Sequence, residues 1–212
     1  MALAATQMSS EQHPIRSAAT VILWRGGDLG PEVLMGQRGA EAAFMPSKYV
    51  FPGGGVDAAD HDWPLDPGWI GPECLRRLEM HPSLAVPTHA LVGAAAREMA
   101  EETGLMLCPL APATFRFVFR AITPPGRTRR FDARFFLAPI EAAKGDRASF
   151  SQASGELSNL HWIALSAARG LDLPFITEVV LAEVAALLAD ECQAGVPFFD
   201  NTGSVPTFRR LR

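Results

Sequence analysis

The chain has 212 residues, 48% of them hydrophobic and 20% charged, with a formal net charge of −4. This fits one sizeable soluble domain with a real core; it lacks the basic balance of a nucleic-acid binder, so no DNA or RNA partner is expected. No apolar run approaches the roughly 20 residues of a membrane span. The scattered Cys74, Cys108 and Cys192 form no C-x-x-C pair, which argues against a thiolate zinc site or a disulfide framework and fits a reducing cytoplasm.

Residues 1–16 are polar and read as a flexible leader without the apolar run of a signal peptide. Residues 17–212 read as a single domain. Ala18–Trp24, with β-branched Thr20, Val21 and Ile22, predicts a buried strand, and Val33–Gln37 its hairpin partner across the glycine-rich turn at 26–31. Between about 61 and 87, prolines and tryptophans are dense, with one short helix predicted over Pro72–Met80. Such aromatics are foreign to linkers, so the segment reads as an insertion, and Trp63 and Trp69 suit either a lid or a dimer surface. A helix is predicted over Thr88–Thr103, with Thr88 as N-cap and Gly104 as C-terminal stop.

Alternating Phe115, Phe117 and Phe119 predict a half-buried strand over Phe115–Ile122. Arg134–Pro139 and Leu160–Ile163 are further strand candidates, and Thr177–Gln193 reads as a long helix ended by Gly195. Arg116, Arg120, Arg127, Arg129, Arg130 and Arg134 read equally as a cationic rim for a polyphosphate or as solvated strand charges. Mixed strands and helices indicate an α/β (α+β) sandwich.

The chemistry lies in Arg97-Glu98-Met99-Ala100-Glu101-Glu102-Thr103-Gly104-Leu105. At helical pitch, Glu98, Glu101 and Glu102 fall within about 100° of one face. Taken alone, three such glutamates read as a solvated acidic surface paired with Arg97. Their mutual repulsion also calls for a cation, and hard Mg²⁺ or Mn²⁺ suits carboxylate oxygens.

The string resembles R-E-U-x-E-E-x-G-U, with U apolar, the second half of the Nudix box. It matches at every specified position, a coincidence expected on the order of once in 10⁴–10⁵ chains of this length. Phe51-Pro52-Gly53-Gly54 is similar to the F-P-G-G that precedes the box, and from Gly54 the family's spacing to its first acid lands on Asp60. Asp60 stands where the family has Glu, and 36 residues rather than seven separate it from Arg97, an insertion of 29. Without the insertion, His89 would take the acid's place.

The resemblance implies an α/β/α sandwich around a central mixed sheet, and a hydrolase of diphosphate linkages that uses Mg²⁺ or Mn²⁺. It implies that Glu98, Glu101 and Glu102 hold the metal with the Gly53 carbonyl, and that Arg97 orients the carboxylates. It assigns Arg38, Gly54, Arg130 and Arg134 to substrate, and Asp60 and Gly104 to the structure of the box. Glu156, ahead of Trp162, reads either as general base or as a strand-edge surface acid.

Leu34–Arg38, Phe44–Gly54, Asp57–Asp60, and Thr123-Pro124 with Arg130–Phe136 resemble the branch holding the mammalian peroxisomal coenzyme A diphosphatase, which also has a long insertion before R-E-x-x-E-E. That points to CoA or acyl-CoA, split into 3′,5′-ADP and a 4′-phosphopantetheine. ADP-ribose, NADH or other nucleotide sugars, or a catalytically silent binding domain, are the alternatives. The expected partner is a small nucleoside-diphosphate-linked molecule, with a cytoplasmic location, no membrane, and a homodimer as an open reading.

Overall fold

A computed structural model describes residues 14–64, 68–80, 86–108, 114–189, 192–203 and 205–212. In chain order the strands and helices are β1 (Ile15–Gly27), β2 (Gly30–Arg38), β3 (Tyr49–Val50), β4 (Gly53–Gly55), α1 (Pro72–Glu79), α2 (Thr88–Thr103), β5 (Met106–Leu107) and β6 (Arg116–Ile122). They continue with β7 (Arg130–Pro139), β8 (Ala143–Lys144), β9 (Leu157–Ala164), α3 (Leu165–Ala168), α4 (Phe175–Leu188), β10 (Val196–Asp200) and β11 (Thr207–Leu211).

The main sheet runs β11-β10-β6-β7-β1-β2-β3, with β4 on the first half of β1 and β9 on the outer side of β2. It is mixed: β1 and β7 are parallel, as are β6 and β10, and the other pairings are antiparallel. One face packs on α2 through Ala19, Val21, Leu34, Phe117 and Phe136. The other packs on α4 through Ile22, Val33, Phe119, Phe135 and Leu137. This is the expected sandwich of helices about a mixed sheet. Among the described residues no helix is long and apolar enough to cross a membrane.

Several boundaries differ from the sequence reading. Ile15 and Arg16, assigned to the leader, already belong to β1, where ten consecutive residues pair with β7; residues 1–13 lie outside the described ones. The N-cap of α2 is Pro87 and Thr88 is its first residue. Strand β6 is buried on both faces rather than one, because α2 and α4 cover the sheet from opposite sides. Helix α4 ends at Leu188, short of Gln193, whose side-chain amide instead donates to Val118 O at 3.0 Å. The final hairpin β10–β11 has no counterpart in the sequence reading.

The insertion is built into the core. Trp69 is buried and packs on Phe115 with ring centroids 5.7 Å apart, and Trp63 meets Trp69 edge-on at 6.4 Å. Neither a lid nor a dimer surface describes Trp69, since its indole is already covered by its own chain.

Candidate active site

Helix α2 lies across β4, and three of its side chains meet three successive glycines. Glu102 accepts the Gly53 N–H at 2.8 Å, and Arg97 donates to the Gly55 carbonyl at 2.9 Å. Between them the Glu98 carboxylate covers Gly54, where a Cβ would come within 2.2 Å of its oxygen. At Gly53 a Cβ would lie 2.5 Å from Ala19 O, so side-chain-free backbone is required for β4 to pair closely with β1. The glycines are thus a floor on which the helix sets its carboxylates.

Burial separates the glutamates. The side chain of Glu101 is 54% exposed, that of Glu98 13%, and Glu102 is 2% exposed. Desolvation pushes the Glu102 carboxyl up to about 8; Glu98 and Glu156 add to the rise, while the Gly53 N–H and Arg38 oppose it. Burial also raises Glu98, against the pull of Arg97.

Arg97 ties the cluster together. Its Nε and Nη2 form a fork to the two Asp60 oxygens, each at 3.0 Å, and Nη1 reaches Glu98 at 2.9 Å and Glu101 at 3.2 Å. Asp60 thus forms a two-point ion pair with Arg97 although the insertion separates them in sequence. A short 3-10 turn at Ala58–Asp62 delivers Asp60. It docks closely on α2 at Gly93, where a Cβ would strike Trp63 Cβ at 2.7 Å and Asp60 O at 3.1 Å. His89, the alternative acid position, meets only the His61 carbonyl among the described groups. Gly104 ends α2 in the left-handed region at φ 76°.

Glu156 is exposed and arrives from the far side of the sequence. Its loop is anchored where the Ser154 N–H meets the Glu101 carbonyl at 2.7 Å, and its charge acts on both Glu98 and Glu102. Arg38, at the end of β2, is near enough to lower Glu102, and its Nε is buried without a hydrogen-bond partner among the described residues.

Two arginines expected at the substrate are turned inward. Arg130 donates to Thr123 O and Asn201 O, at 3.0 and 2.8 Å. Arg134 is buried, donates to Asp132 O at 2.8 Å, and is pushed down to about 10 by desolvation. Arg120 is likewise buried, in a two-point ion pair with Asp132 at 2.8 Å per bond. These arginines bind the interior because the Asp132 carboxylate and the carbonyls of Thr123, Asn201 and Asp132 accept from them there, so Arg120, Arg130 and Arg134 form no solvent-facing rim. Phenylalanine alternation gave no sign of this, since it reports which residues are apolar and not which charges are paired inside.

The chain aligns with a Nudix hydrolase from Alicyclobacillus acidocaldarius at 27% identity and a TM-score of 0.56, over 84% of this chain and 92% of that one. The Nudix domain of Shewanella oneidensis NrtR, solved with ADP ribose, aligns at 14% identity and TM-score 0.51, over 82% and 89%. A MutT protein from Methanosarcina mazei Go1 aligns at 16% identity and TM-score 0.52, over 82% and 96%. The chain has the Nudix fold. No family model and no curated protein matches it. The Alicyclobacillus hydrolase supports placing it among the Nudix hydrolases, and the string Arg97–Thr103 lies on α2.

As the side chains stand, Arg97 engages one oxygen each of Glu98 and Glu101, and among the described residues no three acid, imidazole or thiol groups converge on one point. The chemistry of the donor set nonetheless fits a hard divalent cation. The carboxylates of Glu98 and Glu102 are both raised by desolvation, and the glycine floor lets the Glu98 carboxylate lie directly on the backbone.

Proposed function

We propose that this protein is a divalent-metal-dependent pyrophosphohydrolase acting on a nucleoside-diphosphate-linked small molecule, with CoA or acyl-CoA the foremost substrate. The observation that carries the reaction class is the pairing of buried Glu102 and half-buried Glu98 over Gly53 and Gly54, with Arg97 bonded to Glu98. The preference for CoA rests on the segments 34–38, 44–54, 57–60, 123–124 and 130–136 and their resemblance to the coenzyme A diphosphatase branch.

Glu98, Glu101 and Glu102, with the Gly53 carbonyl, would hold Mg²⁺ or Mn²⁺. Bound there, the metal neutralises phosphate charge and makes water a better nucleophile. Arg97 keeps Glu98 and Glu101 aligned through its fork to Asp60, which fixes the guanidinium from behind. Arg38 offers a partly buried cation to a phosphate oxygen, with an N–H free for it among the described groups. Glu156 accepts the proton of the attacking water. The new P–O bond forms as the bridging P–O bond breaks; the bridging oxygen leaves with the departing phosphate. From CoA the products are 3′,5′-ADP and 4′-phosphopantetheine.

The test is a panel of CoA, acyl-CoA, ADP-ribose, NADH and dinucleoside polyphosphates, each with Mg²⁺ and with Mn²⁺. Turnover of at least one compound, abolished by chelation and reduced by Glu101→Gln, is expected. No turnover of any, with Glu101→Gln changing nothing, would end the enzyme reading.

A further inference from the structure

Three described non-glycine residues have positive φ: Met45 at 52°, Ser47 at 61° and Asn159 at 49°. Two of them are tied to one side chain. Gln37 Nε2 donates to Ser47 O at 2.9 Å, and Gln37 Oε1 accepts from Asn159 Nδ2 at 2.8 Å. Ser158 Oγ adds a bond to the Gln37 carbonyl at 3.1 Å. L-residues enter the left-handed region at a cost, least for Asn, so such a cluster persists where its surroundings hold it.

Asn159 also stands at a break in register. Strands β2 and β9 pair Met35 with His161 and Gln37 with Ser158, so Gly36 alone opposes both Asn159 and Leu160. Strand β9 thus carries one extra residue, a bulge whose left-handed member is Asn159. Side chains alternate with period two along a strand, and an extra residue reverses the alternation beyond it. The result is visible at Gly36, where a Cβ would meet Leu157 Cβ and Leu160 Cδ2, each at 2.9 Å. Leu157 and Leu160 therefore share a face, three positions apart. Without the bulge Leu157 would turn to the opposite face, and Glu156, next to it, would be re-aimed. Across the ladder, the partner of Leu157 is Arg38.

We propose that Gln37 and Asn159 are positioning residues: the bulge at Asn159, pinned by the Gln37 amide, sets the register that brings Glu156 to Glu98 and Glu102. The proposal rests on the reading of Glu156 as general base.

Steady-state kinetics and melting curves on the full chain test it, with the panel compound turned over fastest. Asn159→Val should lower kcat by about 30- to 100-fold with KM within about threefold, the size of loss that small misplacements of a reacting group produce. Asn159→Gly, which enters the left-handed region freely, should keep kcat within about fivefold. Gln37→Leu should cost about tenfold in kcat and keeps the test open if Asn159→Val fails to fold, since its exposed bonds add little stability. Combining Asn159→Val, or Gln37→Leu, with Glu156→Gln should give no loss beyond that of Glu156→Gln alone. Equal kcat for the Val and Gly variants, or losses that multiply in the double variant, would overturn the positioning role. Wild-type kcat in Glu156→Gln would instead remove the base assignment and leave the bulge nothing to position. A wild-type chain that turns over no compound would overturn both.

Discussion

Two groups of ionisable side chains, one buried and one partly buried, lie on the α2-facing side of the sheet, and they are built on different plans. Asp132, Arg120 and Arg134 form a mixed set: the carboxylate takes a two-point bond from Arg120 and lies 3.2 Å from Arg134, while Phe198 stacks on the Arg120 guanidinium at 4.4 Å. Arg134 faces α2 because its register partner Ala19 does. Around β4, by contrast, Glu98 and Glu102 are desolvated together, and their carboxyls are raised. Buried charges of mixed sign bond to one another and hold the fold. Carboxyls held close together and still raised after their nearby arginines have acted are poised for something that arrives from outside.

The comparison breaks most sharply at Glu102. Glu102→Gln should lower kcat on the order of 10³-fold while leaving the melting temperature unchanged or higher, because it removes a desolvated acid. Paired activity and calorimetry check this, and a fall in Tm with kcat retained would place Glu102 among the structural charges. At the mixed cluster the reverse is expected. Asp132→Ala should cost about 3–5 kcal/mol of unfolding free energy in urea, since two guanidinium groups lose the carboxylate they share. Trp69→Ala should cost a similar ~3–5 kcal/mol, because the indole fills the core between Trp63 and Phe115; a near-neutral change would make the insertion an appendage.

A smaller effect is expected from pH. The Glu102 carboxyl, at about 8 in the folded chain, lies above its ordinary value of 4.5, so the folded state holds a proton that the unfolded chain has released. The stability this lends is full below about pH 4.5 and is lost as pH rises through about 8. Chelator-treated protein should therefore melt lower at pH 8.5 than at pH 5, with Mg²⁺ restoring more stability at the higher pH; a flat profile would argue against a desolvated carboxylate. The smallest change belongs to the exposed Arg16–Asp57 pair, 3.7 Å apart, where Arg16→Ala should shift stability by under about 1 kcal/mol.

Much of the site was legible in sequence because it is local. Glu98, Glu101, Glu102 and Arg97 share one helix face by pitch alone, and Gly53 and Gly54 needed only the motif spacing to be placed with them. Asp60 was readable from the same spacing, although its fork to Arg97 depends on a close approach at Gly93 that no periodicity announces. What escaped was long-range and polar. The inward turn of Arg130 and Arg134 depends on Asp132, Asn201 and Thr123 as neighbours, and Gln37 meets Asn159 across 122 residues. The hairpin β10–β11 was missed because exposed Thr207–Arg210 shows no apolar alternation.

The central claim, that the acidic face of α2 is a divalent-cation site, is tested most directly by titrating Mn²⁺ into the metal-free protein at pH 8 in a calorimeter. The account predicts saturable binding that Glu102→Gln weakens at least about tenfold and Asp132→Asn, in protein that stays folded, leaves intact. Equal binding by wild type and Glu102→Gln, or none by either, would contradict it.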